Sequence, residues 1–280
     1  MSGKDKTKVL PVHERCRKIF GNAQPVKNVW EHEFDYDDAK LCALAATDWQ
    51  LITGAQLHRL YLHNLSYNEP MQPELFRYLF PLCLATWHEE VIKEGHGCTM
   101  EFFLHALRRP FLWQEMMNSR QRQDVKRFIV DTIIARMERE RGEQAGISWL
   151  LLVNEAGGVA PVIADIWREW WRLDTPGKAV CLIIYAAFLV YPPGDVPVSP
   201  GDRTFFTVTL FYDFPWLAEN LAFLQSVLTV DSLLTGIEAA VSILHDCSEE
   251  ALARRVAQDA RNSREIIAIQ IDDLLEELAR

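Results

Sequence analysis

The stretch TPGKAVCLIIYAAFLVY, residues 175–191, decides what kind of molecule this chain forms. From Ala179 to Tyr191 it carries no charge, so it is either a membrane span or a helix buried on all sides. Thirteen residues rise only about 20 Å as an α-helix, against a bilayer core of roughly 30 Å. The run reads as a core helix. Thr175 and Pro176 mark its start, a capping hydroxyl followed by a first-turn proline.

Working outward, one-sided helical patterns fill most of the chain. Leu41, Leu44, Ala45, Ile52, Ala55 and Leu60 recur at three and four, predicting a helix over 37–62. Pro73 and Glu74 open another, running to about Lys93 with a kink expected at Pro81. Thr99 is positioned to cap a helix bounded by Pro110, and a short piece at 111–118 follows. Val125, Phe128, Ile129, Ile133 and Met137 stripe a long helix over 121–140. Beyond it the pattern predicts helices at 147–156, 159–173, 215–228 and 231–245. A C-terminal helix from 248 onward breaks near Asn262 and Ser263. Residues 204–214, TFFTVTLFYDF, have the composition of a strand. A lone strand leaves its backbone unpaired, so helix is the expectation there too. The fold class is all-α: an irregular multi-helix bundle or a short stack of antiparallel helical pairs, of about ten to twelve helices. Three segments are expected: an irregular arm at 1–36, a helical subdomain at 37–142 and another at 147–280. Gly142 and Gly146 mark the boundary, and the two subdomains are expected to pack as one unit.

Composition narrows the function classes. Net charge is −10, which disfavours a phosphate backbone as partner. Residues 108–141 are a local exception, with nine Lys or Arg against five Asp or Glu; a salt-bridged helix surface accounts for them. No apolar run follows the charged N-terminus, so neither a signal peptide nor a membrane anchor is expected. The six cysteines are widely spaced, without CxxC, and read as core thiols of a cytoplasmic protein.

The chemistry-bearing residues cluster early. Seven of the eight histidines precede residue 106. His88 begins HEEVI, which lacks the second histidine of a zinc-binding HExxH. Glu101 and His105 share a helical face and could hold one ion with His88; they are equally an ordinary surface pair. Neither a GxSxG elbow nor a phosphate-binding glycine loop occurs in the sequence. In EHEFDYDD, residues 31–38, helix capping explains the later acids but leaves Glu31, Glu33 and Asp35 as candidates for facing a partner. Trp167 and Trp171 lie one turn apart on a helix and are candidate contact residues. Two functions of different class follow. One is an acidic all-helical protein-interaction module, an adaptor, inhibitor or immunity-type binding protein, with a basic partner and no cofactor. The other is a metal-dependent helical oxidoreductase or hydrolase drawing on His58, His63, His88, Glu89, Glu101 and His105, with His88, Glu101 and His105 as the metal candidates.

Overall fold

A computed structural model describes residues 11–29, 38–67, 71–93, 98–141, 148–191 and 215–280; for 38, 98–102 and 148 it describes the backbone alone. The fold is all-helical, and among the described residues twelve α-helices run eight residues or more. The chain divides into two compact units, 1–125 and 126–280. The division falls inside a helix, whereas the expected boundary at Gly142 and Gly146 lies outside the described residues. So do residues 1–10 and 30–36 of the expected arm and the whole of 204–214.

The first unit holds α1 (Val12–Ile19), α2 (Asp38–Ala46), α3 (Gly54–Leu57), α4 (His63–Tyr67), α5 (Pro73–Lys93), α6 (Cys98–Leu107), α7 (Pro110–Gln114) and the start of α8 (Ser119–Met137). α5 is its axis. It runs through Pro81, is buried almost continuously from Leu75 to Trp87, and packs against α1, α3 and α6. Phe20 meets Phe76 and Phe80 edge-on, and Phe103 stacks on Phe80.

The helix expected over 37–62 is not continuous. α2 ends at Ala46, and Asp48 then caps a short 3-10 turn, accepting from the Gln50 N–H at 2.9 Å. Thr53 caps α3 while the Gln56 side chain returns to the Thr53 N–H, a capping box that halts and restarts the chain. Residues His58–Leu62 are wound as a π-helix between α3 and α4. Helix also continues past the expected end at residue 62, with Asn64, Leu65 and Ser66 buried in α4.

The second unit holds the rest of α8 with α9 (Ser148–Gly157), α10 (Ile163–Trp170), α11 (Pro176–Val190), α12 (Ala218–Val227), α13 (Val230–Ile243), α14 (Glu250–Asn262) and α15 (Arg264–Leu278). α11 is the decisive stretch of the sequence. Every residue from Gly177 to Val190 is buried, and α13, α14 and α15 pack around it. Thr175 caps it by accepting from the Lys178 N–H. At its far end the Tyr191 hydroxyl donates to Asp259 of α14 at 2.6 Å. No single helix among the described residues is long and apolar enough to cross a membrane; α12 and α13 together are, but they meet at 73°.

Two glycines of this unit sit at close crossings. A Cβ on Gly177 would lie 2.5 Å from the Met137 and Glu138 carbonyl oxygens, which are backbone and cannot move aside. The Cys181 thiol donates to the same Met137 carbonyl at 3.7 Å. A Cβ on Gly236 would meet the Leu182 side chain at 3.0 Å, and a methyl group can shift. Gly177→Ala is therefore expected to cost about 1–3 kcal/mol through overpacking. Gly236→Ala should cost much less, since the helix propensity of alanine offsets about 1 kcal/mol. Urea midpoints of the two variants measure the contrast.

Candidate functional site

The early histidines separate into two places in the first unit. His13 lies 3.6 Å from the Glu89 carboxylate and stacks on Trp49, whose ring also carries the Arg17 guanidinium 4.5 Å from its centre. His63 and His105 are brought to the same side chain. Tyr67, an exposed ring at the end of α4, has its centroid 4.9 Å from His63 and 6.1 Å from His105. The Arg109 guanidinium locks α6 to α4 by donating to the Leu65 carbonyl at 2.8 Å.

Burial holds the His105 imidazole below its ordinary pKa, and the nearby Arg108 cation adds to the effect. His88 is half-buried on α5, which packs against the α6 that carries His105. The Glu101 side chain lies outside the described residues, as do Glu31, Glu33 and Asp35. Among the described residues, three metal-type ligand atoms come within 4.8 Å of one another at His245, Asp246 and Glu250. That group is on the surface, and its Glu250 carboxylate is already engaged. It accepts from the Asp246 N–H at 2.9 Å and pairs with Arg254 at 2.6 Å. These two contacts also hold its pKa below the usual carboxylate range.

The thiols offer no ready nucleophile among the buried positions. Burial pushes Cys16 up to about 12 and raises Cys83 and Cys181 well above the normal thiol range. A thiol in such surroundings stays protonated and inert.

The tryptophans of the second unit converge, as their spacing on one helix requires. Trp167 and Trp171 stack face to face with centroids 3.8 Å apart and planes 15° from parallel. Both remain half-buried. Trp170, on the inner side, is buried and meets Trp149, Trp167, Trp171 and Tyr185 edge-on or nearly so. Its indole N–H donates to the Lys178 carbonyl at 3.0 Å, tying the cluster to the first turn of α11. Trp171 lies over Gly236, where a Cβ would come within 3.4 Å of its ring. Beneath Trp167 is a narrow apolar crevice of about 30 Å³, lined by Val153, Ile166, Tyr185, Trp216, Leu224 and Leu278 among others.

One wall of that crevice rests on a junction that periodicity does not reveal. Trp216 lies directly on Gly157: a Cβ there would fall 2.3–2.5 Å from its ring. The Trp216 N–H donates to Leu278 at the end of α15, and the Leu217 N–H to Gly157. Asn220, 3% exposed, binds three backbone groups. Its amide donates to the Gly157 and Ala160 carbonyls at 2.8 and 2.7 Å, and its oxygen accepts from the Ile163 N–H at 3.3 Å. In the sequence the only trace of this arrangement is the pair Gly157-Gly158 between two helical runs.

Charged pairs flank the half-buried tryptophans. Arg168 bonds Asp165 at 2.8 Å and Arg172 bonds Glu169 at 2.6 Å, all partly or fully exposed. The stacked indoles are thus partly buried, with two i,i+3 ion pairs on the same stretch of chain. No family model matches the chain, and no curated protein or solved structure is significantly similar to it.

Two measurements follow from these surroundings. A histidine with a lowered folded pKa binds its proton more readily when unfolded, so stability rises with pH across that window. Acidification through the ordinary histidine range near 6.5 should therefore destabilise the protein, and His105→Asn should flatten the fall. Urea midpoints at about pH 7.5 and about pH 5.5 compare the two. In native protein, Cys16, Cys83 and Cys181 should resist a thiol reagent and react only after denaturation, as mass spectrometry of the alkylated peptides would show.

Proposed function

We propose that the chain is a protein-interaction module that docks a basic partner through the Trp167–Trp171 face of its second unit. The observation that carries this reading is the stacked indole pair, partly exposed and packed against the buried Trp170, with Trp167 lining an apolar crevice and Trp171 lying over Gly236. A large aromatic surface that is already ordered loses little side-chain entropy on binding, so its burial contributes more net affinity. The charge balance supports the choice of partner. Residues 126–280 hold 14 Lys and Arg against 23 Asp and Glu, whereas residues 1–125 hold 15 against 16. The acidic excess thus belongs to the unit that carries the tryptophans. It favours approach by a positively charged protein and repels an acidic one.

The test begins with affinity capture from the native source, followed by titration of the purified partner. Trp167→Ala and Trp171→Ala are each expected to weaken binding by about tenfold or more, the scale of an aromatic anchor. Trp171→Phe, which keeps a stacked ring, should retain most of the affinity. Raising salt from about 50 to about 500 mM should slow association if the acidic surface steers the encounter. Acrylamide quenching of tryptophan emission should fall as the partner binds. A captured protein that binds wild type and both alanine variants equally would remove this face from the account.

A further inference from the structure

We propose that a groove in the first unit binds a phosphate monoester with an apolar body. The groove lies between the C-terminal end of α1, Arg77 of α5, and the turn that leads from α7 into α8. Its volume is about 840 Å³, within the range of small-molecule sites. Its lining mixes polar and apolar surface, with Phe20, Met116 and Met117 buried behind it. The edge-on packing of Phe20 against Phe76 and Phe80 fixes one end of that lining.

The walls are pinned by hydrogen bonds. Asn118 and Gln121 exchange backbone and side-chain bonds at 3.0 and 2.9 Å, capping α8. The Gln121 amide also donates to the Ile19 carbonyl at 3.4 Å, holding α8 to the end of α1. α1 itself stops because Gly21 and Asn22 turn into the left-handed region, with the Asn22 N–H returning to the Arg17 carbonyl at 3.0 Å.

Three cations stand around this groove: Lys18, Arg77 and Arg120. Lys18 and Arg77 make no ion pair among the described residues, although acids outnumber bases in the chain by 39 to 29. Arg120 is 91% exposed and makes only a loose pair with Asp124 at 3.8 Å. The first turn of α8, a helix of 19 residues, adds the partial positive charge of its N-terminus. Two planar guanidinium forks and an ammonium suit the tetrahedral oxygens of a phosphate better than a flat monoanion. Glu115 and Asp124 stand on the same walls. They would repel the repeating charges of a nucleic acid or an anionic membrane, while a compact dianion can sit between the cations. The apolar part of the lining then takes the remainder of the ligand.

The probe is phenyl phosphate, titrated into the full-length chain by calorimetry, beside inorganic phosphate and benzoate. Phenyl phosphate is expected to bind most tightly. Inorganic phosphate lacks the apolar body, and benzoate lacks the dianion. Arg77→Ala and Lys18→Ala should each weaken binding by about tenfold, the scale of one charge-assisted contact. Both side chains are exposed, so thermal melts should match wild type. Arg264→Ala on α15, outside the groove, should change nothing. The proposal is overturned if Arg77→Ala binds as wild type does, if Arg264→Ala weakens binding equally, or if benzoate matches phenyl phosphate. It is also overturned if phenyl phosphate is silent while vesicles of phosphatidylcholine and phosphatidylserine bind in an Arg77-dependent way.

Discussion

A helix that is apolar on every side cannot be solvated on any of them, and the second unit is organised around that constraint. From Gly177 to Val190, α11 exposes no face to water. It can persist only if other helices cover it completely, which α13, α14 and α15 do by presenting one-sided stripes. Complete cover also brings backbones together. Gly177 allows the first turn of α11 to touch the carbonyls that end α8, and those carbonyls gain the Cys181 thiol as a partner. The charges carried into this packing are paired. Lys178 is almost wholly buried yet reaches Asp174 at 2.7 Å, and the buried Arg136 reaches Glu140 at 2.7 Å. Such pairs add little net stability, but losing one partner would strand a charge without solvent.

The tryptophan face is a consequence of the same helix. Trp170 is fixed because its indole N–H has the Lys178 carbonyl, an acceptor in the first turn of α11, to bond. Trp167 and Trp171 then have an inner partner to rest on and no room to turn inward. Stacking at 3.8 Å buries one broad surface of each ring against the other, and the outer edges remain accessible. The exposed aromatic surface is therefore held by the core packing and is not a loose end of it. A site supported in this way is ordered before a partner arrives, which separates it from a sticky surface that must first organise itself.

The legible parts of the sequence were those governed by local rules. The α11 run, its Thr175-Pro176 start and the break at Ser263 follow from hydropathy, capping and turn chemistry over a few residues. The interruption between α2 and α3 was equally local. Thr53-Gly-Ala-Gln56 has a capping box written in it, but the periodicity of Leu41 through Leu60 runs straight across and masks it. Local rules could not reveal pairings at long separation. Asn220 binds groups some sixty positions earlier, at Gly157 and Ala160. Trp216 explains why residue 157 is glycine, and nothing beside Gly157 in sequence announces it. The histidines show the same limit: their abundance was visible, but not that His63 and His105 would share Tyr67 while His13 turned to Glu89.

The uneven charge has a physical consequence for the whole chain. A net charge of −10 suggests one acidic surface that treats every ligand alike. With acids and bases almost balanced in residues 1–125 and strongly unbalanced in 126–280, each unit meets ions on its own terms. Salt screens charge over about 10 Å, so the local set of side chains governs what each surface attracts. Around the groove of the first unit, Lys18, Arg77 and Arg120 outnumber Glu115 and Asp124. Beside the indoles of the second unit, the two acids Asp165 and Glu169 are each matched by an arginine. The net charge of the chain is therefore a poor guide to the charge beside any one of its surfaces.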